Sequence, residues 1–289
     1  MPVSARVDRP QLRAPAGACD CHMHVFDQRF GPLQGGAATP PAATATDYLE
    51  VQQALGLQRV IVVQANGYGF DNRAMLDAMA IFGADARGVA VVGPDTPDAE
   101  MQRLTDLGVR GARLHLLPGG ALQWSDLEPL AARVRPFGWH LQLQFDGWTL
   151  PQHFERLRSL EVDCVIDHIG KFLGAPPPAP DDAVFNSLLG LLDGGRCWIK
   201  LSSPYESSRT GPPGYDDVLR LARRLAATHG ERCLWASNWP HPGRVPQPSS
   251  AAMLDLLLTW ADDAATRQRI LVDNPAALYD FEDRLGRSS

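Results

Sequence analysis

Eight short apolar runs punctuate the chain: CDCHMHVFD (19–27), RVIVVQAN (59–66), GVAVVGP (88–94), VRGARLHL (109–116), WHLQLQF (139–145), DCVIDHIG (163–170), CWIKLSS (197–203) and CLWASNW (233–239). Their wealth of β-branched and aromatic residues predicts strands. In the stretches between them, apolar residues recur three and four apart. DYLEVQQAL (47–55), NRAMLDAMAIF (72–82), DAEMQRLTDL (98–107), SDLEPLAARVR (125–135), FERLRSL (154–160), VFNSLLGLL (184–192), DDVLRLARRLAAT (216–228) and SSAAMLDLLLTW (249–260) therefore predict helices. Strict alternation of the two kinds of element requires parallel strands joined by right-handed crossovers. A (β/α)8 barrel (TIM barrel), with room for distortion, is the leading solution. A doubly wound open sheet is the runner-up, and the lack of a GxGxxG after the first strand argues against it.

Loop lengths distinguish the two ends of such a barrel. Helix-to-strand joins such as LGLQ, LGVRG and FGWH are tight, whereas GPLQGGAATPPAATAT, KFLGAPPPAP, PYESSRTGPPG and PHPGRVPQP follow the first, sixth, seventh and eighth strands. Long loops at the C-terminal ends of the strands mark that face as the mouth of a site. No linker divides the chain, so the expected organisation is a single barrel over 18–282, an arm at 1–17 and a tail at 283–289.

Composition narrows the partners. A formal charge of −6 and a pI near 5.7 leave no basic footprint for nucleic acid. No run of about 18 apolar residues is present to cross a bilayer, and the first residues lack the apolar core of a signal peptide, so a cytoplasmic protein is expected. Five cysteines, an odd number lying in apolar runs, read as buried reduced thiols and not as a disulfide framework. What remains is a small-molecule partner, with an oligomer left open.

The first run carries the densest chemistry. As a strand, it points Asp20, His22 and His24 one way and Cys21, Met23 and Val25 the other. Two imidazoles two residues apart suit metal binding or acid–base work; a half-buried strand wetting its polar face is the plainer alternative. Strand-end placement brings Arg113 and His115, His168 and Asn238 to the same mouth. Asp167, of opposite parity to His168, is expected to face the helix layer or a neighbouring strand. Tyr205 and Ser202 enter from the seventh loop, and Lys171 and His241 serve either the rim or a turn.

Taken in order, the HxH at 22–24, GARL, DHIGK, KLSSPY and WASNWPHP resemble the amidohydrolase superfamily, in the branch of the 2-pyrone-4,6-dicarboxylate lactonases and related sugar lactonases. The resemblance runs from Cys19 to NPAALY (274–279). It implies a barrel that opens a lactone, with His22, His24 and His168 around the carbonyl and Arg113 on a substrate carboxylate. There are departures from that pattern. Asn238 stands where most of the superfamily has an aspartate, and Gln142 and Gln144 stand where dinuclear relatives have a ligand histidine. Gly119 and Glu206 align with further arginines of the dicarboxylate lactonases, which argues against the two-carboxylate pyrone as substrate.

With Arg113 in place of a bridging ligand, a dinuclear centre cannot be built. The expectation is a site without a cofactor, its histidines donating hydrogen bonds to the carbonyl; one zinc ion on His22, His24 and His168 is the alternative. The expected catalytic residues are His22, His24, His168 and Asn238, and the expected substrate-binding residues are Arg113, Tyr205 and His115. The expected activity is hydrolysis of the ring ester of a small carboxylated or polyhydroxylated lactone. Two alternatives are a lactone isomerase, whose nucleophile is a hydroxyl of the substrate, and a silent small-molecule binder.

Overall fold

The fold was described from a computed structural model, which covers residues 8–31, 33 and 42–281. The tail expected at 283–289, the start of the arm and most of the first long loop lie outside the described residues. Eight parallel strands follow one another in chain order: β1 (Cys19–Met23), β2 (Arg59–Val63), β3 (Ala86–Ala90), β4 (Val109–His115), β5 (His140–Gln144), β6 (Cys164–Ile166), β7 (Cys197–Leu201) and β8 (Cys233–Trp235). The barrel closes just beyond β8, where the His24 N–H donates to the Trp239 carbonyl and the Asn238 N–H donates to the His22 carbonyl. This is the (β/α)8 barrel that the alternating pattern predicts.

The outer ring is α1 (Ala45–Leu55), α2 (Arg73–Phe82), α3 (Asp98–Asp106), α4 (Leu127–Val134), α5 (Leu150–Arg158), α6 (Ala183–Asp193), α7 (Asp216–His229) and α8 (Ser250–Asp255). Local signals set their ends. Thr44 and Asp47 form a capping box at the start of α1, and Gly56 ends that helix in the left-handed region at φ 72°. Each helix turns an apolar stripe to the strands; α7, for example, buries Val218, Leu221, Ala222 and Leu225. Among the described residues no helix is long and apolar enough to cross a membrane. All five cysteines are buried and free.

Two apolar layers result. Val60, Val62, Ala112, Leu114, Leu141 and Leu143 face outward to the helices, while Cys19, Cys21, Ile61, Val63, Val165 and Leu234 fill the barrel. Gly111 has a steric role in the interior. A Cβ there would lie 2.5 Å from the His140 ring of the neighbouring strand, so only glycine admits that imidazole.

The strands are shorter than their apolar runs, and this changes where the polar residues sit. β1 and β2 pair Asp20 with Val60 but Met23 with Val62, so β1 carries one extra residue between those rungs. Strict alternation therefore fails. Cys19 and Cys21 point inward, and Asp20 points outward, accepting hydrogen bonds from the Tyr48 hydroxyl (2.7 Å) and the Ser237 N–H (3.0 Å). Asp20 ties β1 to α1 and to the segment that follows β8. The bulge is what lets His22 and His24 face inward after Cys21.

Candidate active site

A cavity of about 620 Å³ opens at the C-terminal ends of the strands. His24, Arg113, His115, His168 and Asn238 all line it, with Gln144, Lys171 and Glu206 beside them. His24, His168 and Asn238 stand beyond the ends of β1, β6 and β8. His168 (φ 57°) and Asn238 (φ 59°) take left-handed backbone conformations there, a strained region that clusters at functional sites. His22 is fully buried and lies outside the cavity lining, below His24. Tyr205 does not line the cavity either: its hydroxyl meets the Asn238 Nδ2 at 3.0 Å and the His241 Nδ1 at 2.9 Å.

Beneath the floor is a polar cluster. Lys200 Nζ lies 3.3 Å from Asp167 Oδ1 and 3.2 Å from His22 Nδ1, and Gln142 Nε2 donates to Asp167 Oδ2 at 3.0 Å. Lys200 and the Asp167 side chain have no solvent exposure. Burial, the largest single influence, pushes the Asp167 carboxyl up, but Lys200, His22 and His168 together outweigh it and hold the group well below the ordinary carboxylate range. Burial and then Lys200 push His22 well down; burial and then Arg113 do the same to His24, and burial depresses His168. These imidazoles are neutral, so the 3.3 Å approach of His22 to Asp167 is not an ion pair; Lys200 supplies the charge between them.

Asp167 thus faces the barrel interior, contrary to its expected outward direction. β6 stops at Ile166 and the chain turns left-handed at His168, so alternation cannot be extended from one residue to the next. Lys200 carried no role in the sequence reading. Its signal was there: a lone lysine at the centre of CWIKL, an otherwise apolar strand. Arg113 is pinned from two sides, Nη1 donating to the Gln64 carbonyl (2.6 Å) and Nη2 to Gln144 Oε1 (2.8 Å), while its Nε has no partner among the described residues. At the rim, Glu206 accepts from Lys171 (3.2 Å) and Arg244 (2.9 Å).

Comparison with known proteins places this geometry. Residues 19–281 match the amidohydrolase family. The chain belongs to that family. It is 38% identical to a D-galactarolactone isomerase of Agrobacterium fabrum over 93% of each chain. It is 34% identical to a 2-pyrone-4,6-dicarboxylate hydrolase of Comamonas testosteroni over 95% of this chain and 94% of that one. An apo crystal structure from Agrobacterium tumefaciens superposes with a TM-score of 0.89 at 37% identity, covering 94% of this chain and 99% of that chain.

The expectation of a site without a cofactor is corrected. His22, Asp167 and His168 bring ligand atoms within 4.8 Å of one another. An amidohydrolase of Burkholderia multivorans with the same fold (TM-score 0.70, 18% identity, 92% of this chain and all of that one) has bound zinc. Asp167, misplaced by parity, is the ligand the sequence reading lacked, and it takes the place given there to His24. Two imidazoles and a carboxylate are a donor set that suits zinc, which there would supply Lewis acidity towards a carbonyl oxygen. Lys200 shares two of the three donors, so the ammonium and an ion would compete for them.

Proposed function

We propose that this amidohydrolase opens the ring ester of a small carboxylated or polyhydroxylated lactone, with the barrel at 18–282 as the unit that carries the activity. The observation that supports it most is the convergence of His24, His168, Arg113 and Asn238 on one cavity. The relatives named above act, by name, on lactones and a pyrone.

The residues divide the work as follows. Arg113, with two of its nitrogens fixed, turns its remaining N–H groups to a carboxylate of the substrate. His168 Nδ1 lies 2.9 Å from Ser202 Oγ; with the serine accepting, the proton of His168 stays on Nδ1 and the Nε2 lone pair would be free for an ion shared with His22 and Asp167. His24 stands on the other side, held by the Val63 carbonyl at 2.8 Å. In hydrolysis, water adds to the acyl carbon and the bond from acyl carbon to ring oxygen breaks, leaving a hydroxy acid.

A specific residue favours a second reading. Asn238 cannot take a proton from water, but an oriented hydroxyl of the substrate needs less help because its effective concentration is high. Attack by that hydroxyl exchanges one lactone ring for another without loss of atoms. A panel of lactones separates the two: hydrolysis acidifies the medium and adds the mass of water, and isomerisation does neither. A panel on which nothing turns over leaves a binder, to be recognised by ligand titration.

A further inference from the structure

Asn238 is one end of a chain of hydrogen bonds running away from the cavity. Its Nδ2 donates to the Tyr205 hydroxyl at 3.0 Å, that oxygen lies 2.9 Å from His241 Nδ1, and His241 Nε2 lies 3.0 Å from Ser250 Oγ at the start of α8. His241 is buried, and its N–H donates to the Asn238 carbonyl at 2.7 Å, closing the turn that both residues make at positive φ.

From these contacts we infer that Tyr205 and His241 are positioning residues that turn the nitrogen of the Asn238 amide into the wall, so that its Oδ1 faces the cavity as a hydrogen-bond acceptor. The hydrogens can all be placed. The Tyr205 oxygen accepts from Asn238, so its one hydrogen goes to His241 Nδ1; His241 then carries its own on Nε2 and gives it to Ser250. Burial pushes His241 down to about 4, which keeps it neutral and able to accept at neutral pH. An acceptor at this position orients the O–H of an attacking hydroxyl or water. It does not stabilise an oxyanion, which needs a donor. What Asn238 orients rests on the lactone reading; which way its amide points does not.

A double-mutant cycle with a spectroscopic arm tests this. On the best lactone, Tyr205→Phe should lower kcat by about 10- to 100-fold with KM within about threefold, the scale of loss for a misaligned reacting group. In an Asn238→Ala background, Tyr205→Phe should add nothing. The second arm uses protein labelled with ¹⁵N at its five asparagines, of which Asn66, Asn72, Asn186 and Asn274 are internal controls. In Tyr205→Phe the side-chain N–H pair of Asn238, assigned by its loss in Asn238→Ala, should shift and exchange faster while the control signals hold. His241→Leu should move the same pair. An Asn238 pair unmoved in Tyr205→Phe overturns the inference, as do losses that multiply in the double variant. If no lactone is turned over, the proposed function fails while the labelled spectra still decide the amide's orientation.

Discussion

His22 Nε2 lies 3.0 Å from His24 Nε2, and this contact fixes the protons of both rings. The Nδ1 of His24 faces the Val63 carbonyl and must carry a hydrogen, so the Nε2 of neutral His24 is an acceptor. His22 therefore donates from Nε2 and accepts at Nδ1, where the Lys200 ammonium and the Gln142 amide are donors. The Val63 carbonyl thus sets the tautomer of His24, and the Lys200 ammonium holds His22 in the tautomer that matches it.

Because His22 acts through His24, its loss should appear in turnover and not in binding. His22→Gln should lower kcat by about 10²-fold or more, the scale of a positioned acid–base group, with KM changing little. Steady-state kinetics on the best lactone check this. A change confined to KM would place His22 against substrate.

Lys200 and Asp167 form a pair without access to water, so removing one partner strands the other. Lys200→Met should cost about 3–5 kcal/mol in urea denaturation. Adding Asp167→Asn should return much of it. If Lys200→Met is as stable as the parent, the charge of Asp167 is satisfied by other groups.

Most of the fold was legible because strand and helix periods alternate without interruption, and tertiary packing kept every element. The site was less legible, because three of its groups lie past strand ends. Alternation put Asp20 with the histidines and Asp167 outside the barrel; an extra residue in β1 and a left-handed turn after β6 reversed both. A bulge leaves no mark in CDCHM. Lys200 could have been found by asking what neutralises a lysine in an apolar strand.

Acid should weaken the fold through its buried imidazoles. His140 is pushed down to about 3 and His241 to about 4, each by burial, from an ordinary 6.5. Above pH 6.5 these rings are neutral both folded and unfolded; below it only the unfolded chain takes up protons. Stability therefore falls as pH drops from 6.5, by about 1.4 kcal/mol per pH unit for each ring, until the folded values are reached. His140, which takes no part in lining the cavity, is the simpler case. Urea midpoints at pH 7.5, 6 and 5 should fall steeply in the parent and less steeply in His140→Leu.

Arg113 should govern selection for a carboxylate. Arg113→Met is expected to raise KM for a carboxylated lactone by about 10- to 100-fold, the scale of a lost charge-assisted hydrogen bond, and to spare a neutral lactone of the same ring size. Equal losses on both would assign Arg113 to the fold, through the Gln64 and Gln144 contacts it would leave unpaired.

The central claim, attack at the acyl carbon of a lactone ring, is tested most directly by turning over a carboxylated lactone in H₂¹⁸O and locating the label by mass spectrometry. The expected result is rapid consumption with one ¹⁸O in the newly formed carboxylate; an unlabelled ring isomer would be the intramolecular version of the same attack. No lactone consumed faster than in buffer, or label found in the released hydroxyl, would contradict it.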